Sequence, residues 1–376
     1  MKIMSTTTQL KKPLVWMEIN TQALKKNVQT MKQFIGNTKI MAVVKANAYG
    51  LGSVGVARTI EENVDAFGVV GVAEALSLRA GGVQKTIVNL GIYTSEDAGA
   101  LIENDIAPSL FTSGDFDNFN RQAKKMNRRV PVWIKVDTGL VRLGIPYQEA
   151  AAWIKKANAY PSITLAGVSS TLSEDISFDQ EQLQRFLSVR EACGKENILV
   201  PIWSIGSSES VFLFPEANLD MMRLGISLLG YYPSEGARAT KKVILEPTVT
   251  YKTRVACIKE IEAGEGMFYR QTYVAKQKKR IAILLPGYSY GLDPKLVNGG
   301  SVLIKGKKYP LVGGISATNC FADVGLEDDV AVNDEVVIFG KQNEAEIPLE
   351  DVCRLTNQNV YQCLSRIPEK VQRLYV

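Results

Sequence analysis

Residues 39–50 read Lys39-Ile-Met-Ala-Val-Val-Lys45-Ala-Asn-Ala-Tyr49-Gly50. The apolar run Ile40–Val44 is too short for a buried helix and rich in β-branched side chains, so it predicts a strand buried on both faces. Just before it, Leu24, Val28, Met31 and Ile35 recur at spacings of four, three and four. They predict a helix that Asn20 or Thr21 can cap and Gly36 can end. The alternation then repeats. Strands are expected at Ala66–Val72, Thr86–Gly91, Ala107–Thr112, Pro131–Asp137, Ile163–Ser169, Leu199–Ile205 and Met221–Ser227, with amphipathic segments at Val72–Ala80, Ser95–Ile106, Gln148–Asn158 and Asp179–Cys193 between them. Eight strands from Ile40 onward, spread over roughly 210 residues, match a TIM-type (β/α)8 barrel. An open doubly wound sheet would commonly announce itself with a Gly-x-Gly-x-x-Gly loop, which is absent.

After about residue 240 the pattern changes. Val243–Ile261, Ile281–Pro286, Ser301–Ile304, Tyr309–Gly313 and Glu335–Gly340 read as strands separated by turns such as Asn298-Gly-Gly and Asn333-Asp, and helical periodicity nearly vanishes. The expected organisation is therefore an N-terminal extension over 1–13 joining the C-terminal domain, a barrel over 14–240, and a mostly β-strand domain over 241–376.

Composition narrows the chemistry. The 376 residues are 46% hydrophobic and 22% charged, with a net charge of +5, and no apolar stretch reaches the length of a spanning helix. Residues 1–12 carry no apolar core of a signal peptide, and five scattered cysteines form no disulfide framework, so a cytoplasmic location is expected. The densest basic run, Lys276–Arg280, has no interleaved aromatics and reads as a solvated turn, so neither a nucleic-acid nor a membrane partner is expected. There is no histidine. That excludes Ser-His and Cys-His nucleophile pairs and His-ligated metal sites, and no metal is expected.

In a barrel, reactive groups sit at the C-terminal ends of strands. Lys45 closes the first strand, where partial desolvation would make its amine a nucleophile able to form a Schiff base, unless it merely marks the exit to solvent. The fifth strand leads into Lys135-Val-Asp137-Thr-Gly139-Leu-Val-Arg142-Leu-Gly144, suited either to carboxylate recognition or to a self-satisfied ion-pair cluster. Gly206-Ser207-Ser208-Glu209-Ser210 offers hydroxyls and N–H groups to a phosphate, or simply caps a helix. Arg223, within an apolar strand, requires a carboxylate partner or a ligand.

Ala42-Val-Val-Lys45-Ala-Asn-Ala-Tyr49-Gly50 closely resembles the pyridoxal phosphate attachment site of alanine racemases. The Lys135…Arg142-Leu-Gly segment, Met222-Arg223-Leu-Gly-Ile226, Phe268-Tyr269-Arg-Gln-Thr-Tyr273, Gly287-Tyr288 and Arg366-Ile367-Pro368 resemble the same family in the same order, so the likeness runs from Trp16 to Tyr375. The resemblance implies a barrel followed by a β-domain, an isomerase using pyridoxal 5'-phosphate, and a homodimer with shared active sites. Lys45 would hold the cofactor and act as base on one face of the substrate Cα. Tyr269, from a second subunit, would act on the other. Arg223 would face the pyridine nitrogen, and Tyr49, Ser207, Gly225 and Ile226 would hold the phosphate. Arg142, Ala317 and Tyr288 would bind the substrate, with Lys135 orienting Arg142 and carbamylated in many relatives. The implied reaction interconverts L- and D-alanine and supplies D-alanine for cell-wall peptidoglycan. A racemase of another small amino acid such as serine, or a cofactor-binding homologue with weakened catalysis, is the alternative reading.

Four positions depart from the family's pattern. Thr171 stands where a histidine usually links the arginine to the catalytic tyrosine, Ala317-Thr318-Asn319 replaces Met-Asp-Gln, Tyr290 replaces an aspartate, and Ser365 replaces a tyrosine. Changes in such supporting residues cost ~10–100-fold where measured at metal sites. A decarboxylase on the same barrel is disfavoured because the reactive cysteine motif is missing, and Cys353 and Cys363 are expected to be buried apolar residues.

Overall fold

The computed structural model describes residues 13–376, which divide into two compact units. One is Thr21–Thr248; the other joins Val249–Val376 with the described residues up to Asn20. Apart from Pro13, the expected 1–13 extension lies outside the described residues.

In the first unit, Lys39–Val43, Ala66–Val69, Thr86–Asn89, Ile106–Leu110, Val130–Asp137, Ile163–Ser169 and Trp203–Ser204 pair in parallel, each with the next, and Met221–Leu224 returns to pair with Lys39–Val43. The ring is nearly closed between the last two strands. Asp220 N–H donates to the Trp203 carbonyl at 3.1 Å and Arg223 N–H to that of Gly206 at 3.2 Å. The expected barrel is therefore present, with one strand much shorter than expected: Leu199–Ile205 reduces to Trp203–Ser204. Leu199 is exposed and Pro201 has no N–H to give a ladder.

The barrel interior is filled by Met41, Ala66, Val88, Ala107, Trp133 and Met221. Trp133 fits because its neighbour across the ladder is Gly167, where a Cβ would come within 2.7 Å of the indole ring. The first helix, Thr21–Ile35, buries Leu24, Val28, Met31 and Ile35, the positions its periodicity marked.

The second unit is built on Val249–Ile261, which pairs antiparallel with Val15–Ile19, Lys279–Leu284 and Glu335–Gln342. Val15–Ile19 in turn pairs in parallel with Gln372–Tyr375. Lys252 ties three of these strands together, its ammonium lying 2.8 Å from Glu18 Oε2 and 3.0 Å from Glu335 Oε1.

The expected boundaries at 14 and 241 are corrected on both sides. Residues 15–19 find their ladder partners in the C-terminal sheet, not the barrel. Residues 241–248 remain with the barrel because Thr248 Oγ1 donates to the Leu229 carbonyl at 2.8 Å and the Asn27 side chain pairs with both the N–H and the carbonyl of Glu246. Two unexpected helices, Leu349–Thr356 and Val360–Ser365, interrupt the β pattern near the end, the second opened by an Asn359–Gln362 capping box.

Candidate active site

Lys45 follows the first barrel strand directly, after the buried Val44. Its amine is held below the ordinary lysine range by burial first, then by the charges of Arg142 and Arg223. What comes next is unusual. Ala46, Asn47, Ala48 and Tyr49 all have φ between 51° and 55°, a full left-handed turn of non-glycine residues. Such a conformation costs ~1–2 kcal/mol per residue, and strain of this kind concentrates where function requires it. The turn is pinned from outside: Asn47 N–H donates to Glu74 Oε1 at 3.0 Å, and Asn47 Oδ1 accepts from Ser53 N–H at 2.8 Å. It brings Tyr49 back into the buried interior, 7% exposed.

Three further cationic residues gather around the amine. Lys135, half-buried on the fifth strand, donates to Thr171 Oγ1, and desolvation followed by Arg223 and Arg142 pushes its amine well below the usual range. Asp137 Oδ1 accepts from Gly139 N–H at 2.9 Å and Val141 N–H at 3.1 Å, so it shapes the turn that presents Arg142. Arg223, expected to seek a carboxylate or a ligand, is instead gripped by carbonyls. Nη1 donates to the Ser204 carbonyl at 2.9 Å and to Ser204 Oγ at 2.8 Å, and Nη2 to Ser170 at 2.6 Å and Ile205 at 3.1 Å. Burial, then Arg142, pushes Arg223 down to about 10, which still leaves it cationic at neutral pH. Among the described residues its Nε has no partner.

Near the Arg223 strand lies a cradle of small groups. Gly225 N–H donates to Ser208 Oγ at 2.9 Å, and Ser208 Oγ lies 3.1 Å from Ser227 Oγ. A Cβ on Gly225 would come within 2.5 Å of Tyr49 Oη, so glycine is what lets the phenol approach. Ser207, the serine expected to hold a phosphate, faces its own turn. Its Oγ accepts from Glu209 and Ser210 N–H, and its N–H donates to Ser210 Oγ. Ser208 is the neighbour that reaches Gly225 and braces it from behind, while the Ser207 hydroxyl keeps its proton to donate. Glu174 is a residue that sequence reasoning missed. It sits at φ 70° on the loop after the sixth strand, where its carboxyl is pushed up by burial, then by Glu209 and Asp179, against the lowering effect of Lys45 and Arg142.

Ile226, next to Gly225, is fully buried in the first unit, and the remaining expected site residues lie in the second unit. Tyr269 is 74% exposed, set on a tight turn in which Phe268, Arg270 and Gln271 all have positive φ. Phe268 packs edge-on against Tyr269 and against Phe321. Tyr288 is also exposed, and its N–H donates to the Ser316 carbonyl at 2.9 Å, while Ser289 N–H donates to Ala317 at 3.0 Å. Tyr288 and Ala317 thus share one pair of loops.

The first unit meets the needs of an anionic aldehyde. It has an amine biased toward its free base, a hydroxyl-and-amide cradle for a phosphate, and an arginine whose open Nε can face a pyridine nitrogen. Fold and donor set together define the class of barrel enzymes that hold pyridoxal phosphate on a lysine. The comparisons are specific: residues 19–233 match the model of the alanine racemase N-terminal domain, and residues 248–375 that of the alanine racemase C-terminal domain. The chain belongs to the alanine racemase family, a pyridoxal phosphate-dependent family of isomerases. It is 34% identical to an alanine racemase of Halothermothrix orenii, with 96% of each chain covered, and 33% identical to one of Desulforamulus reducens, covering 98% of this chain and all of that one. The solved alanine racemase of Clostridium difficile 630 superposes with a TM-score of 0.91 at 28% identity, over 97% of this chain and 96% of that one.

Proposed function

We propose that this protein interconverts L- and D-alanine as a homodimer, with Lys45 and the Tyr269 of a second copy exchanging the Cα proton from opposite faces. Bound pyridoxal phosphate supplies the electron withdrawal that makes that proton acidic. Lys45 is the group that supports the reading best. Its lowered pKa leaves more free amine near neutral pH, available both to hold the cofactor's aldehyde and to accept a proton. Arg142, Ala317 and Tyr288 bind the substrate, Arg142 through its carboxylate. Tyr49, Ser207, Gly225 and Ile226 hold the phosphate, with Ser208 bracing Gly225. Arg223 keeps its charge at the pyridine nitrogen. The exposure of Tyr269 fits a side chain whose working surroundings come from another subunit. Lys135, its amine pushed well below the ordinary range, gives up its proton more readily, as carbamylation requires. We place the enzyme in the cytoplasm; among the described residues no helix is long and apolar enough to cross a membrane.

The test is alanine in deuterated water with the cofactor-loaded enzyme. Both enantiomers gain Cα deuterium, Tyr269→Phe abolishes exchange at one face, and Lys45→Ala loses the visible cofactor absorbance. A loaded dimer that exchanges no Cα proton from alanine while exchanging that of serine would overturn the substrate assignment.

A further inference from the structure

Outside the candidate site, the two helices that the sequence did not announce bring two thiols together. Cys353, on Leu349–Thr356, and Cys363, on Val360–Ser365, have sulfurs 3.1 Å apart. Both are buried, at 5% and 6% exposure. We propose that Cys353 and Cys363 form an oxidisable dithiol that closes to a disulfide when a hydroperoxide reaches Cys363.

Three observations carry this. The first is distance: closing the gap to a bonded pair requires ~1 Å of sulfur movement, within reach of rotamer adjustment. The second is open space at the sulfur. Cys363 lines a cavity of about 20 Å3, together with Gln358, Asp293 and Arg366, room for about one water. The third is polarity. The hydrogen bond from Cys353, helped by Thr356 Oγ1 at 3.9 Å, holds the Cys363 thiol below the ordinary range against burial, while Cys353 is pushed up. By contrast, burial pushes Cys193 up to about 11 and Cys320 up to about 12. Thiolate character selects which cysteine is attacked first.

The steps balance. The Cys363 sulfur attacks a peroxide oxygen, the O–O bond breaks, and Cys363 becomes a sulfenic acid with release of water from hydrogen peroxide. The Cys353 sulfur then displaces the hydroxyl from Cys363 as a second water. Two thiols are oxidised, one peroxide is reduced, and the protons of both thiols leave in the water.

The experiment uses the full-length, fully reduced protein, treated with hydrogen peroxide in graded amounts and then alkylated before peptide mass analysis. The expected result is a peptide cross-linked between Cys353 and Cys363, lighter by two hydrogen atoms and restored by dithiothreitol, while Cys193, Cys257 and Cys320 still alkylate. Cys353→Ser should leave Cys363 as a sulfenic acid captured by a dimedone probe, and Cys363→Ser should leave Cys353 unreacted. Oxidation of the other cysteines at the same dose, or sulfinic acid at Cys363 without the cross-link in the wild-type protein, overturns the proposal. These readouts count thiols, so they are independent of whether alanine is racemised.

Discussion

Replacing Gly225 by alanine isolates what the cradle near Arg223 does. The added Cβ would sit 2.5 Å from Tyr49 Oη, 3.0 Å from its Cε2 and 3.1 Å from its Cζ. Tyr49 is buried at the end of a pinned left-handed turn, so the ring cannot simply swing away. Overpacking of this kind costs ~1–3 kcal/mol. If that cost falls on the ligand-holding geometry, binding of pyridoxal phosphate weakens by about 5–150-fold at ~1.4 kcal/mol per decade. Equilibrium dialysis of apoenzyme against the cofactor measures it. A Tyr49→Phe background removes the nearest atom and leaves the next at 3.0 Å, so Gly225→Ala should cost less there, giving a non-additive cycle. Equal losses in both backgrounds, or none in either, would show that the approach of Tyr49 to Gly225 does not shape the site.

Other outcomes follow from the same geometry. Ser207→Ala should weaken cofactor binding through loss of a hydroxyl donor, whereas Ser208→Ala removes the partner of Gly225 N–H and should lower stability by ~1 kcal/mol, read by dialysis and by urea unfolding. Arg142→Gln removes a positive charge that lowers the Lys45 pKa; that pKa therefore rises, less free amine remains at neutral pH, and the pH profile of cofactor capture shifts to higher pH in stopped-flow absorbance. Thr171→Val strips the half-buried Lys135 amine of its hydrogen-bond partner and should destabilise the protein by ~0.5–1.5 kcal/mol in thermal unfolding. Gly291→Ala, at φ 90° with a Cβ 2.9 Å from Ile367 Cα, should lower Tm without altering cofactor affinity.

The barrel was legible because each of its strands is a short apolar run, and each run sits one helix-length from the next. That periodicity follows from burial on both faces of a parallel sheet, which no other placement of Ile40–Val44 or Pro131–Asp137 satisfies as well. The β-unit was legible in kind but not in extent. Val15–Ile19 looks like any five-residue strand, and nothing local reveals that its partner begins at Val249. Within the site, Lys45 and Arg223 stood out because a cation in an apolar run demands an explanation. Glu174 did not stand out. A glutamate before a helix cap has an ordinary local role, and only tertiary placement distinguishes it. Cys353 and Cys363 were read singly as buried apolar residues; their meeting depends on how two short helices turn at Asn357, an αL residue whose conformation a residue list does not disclose.

The pairing of Ile19 with Val249 has a consequence for how the chain is made. During synthesis the segment holding Val15–Ile19 leaves the ribosome before the barrel, yet its ladder partners are translated only after it. Residues 21–248 can therefore mature while the earliest strand waits, with its edge groups and apolar face unclaimed. Release from the ribosome before Gln372–Tyr375 is complete would leave that strand without its parallel neighbour, so truncation at the far end of the polypeptide should be felt first at its beginning.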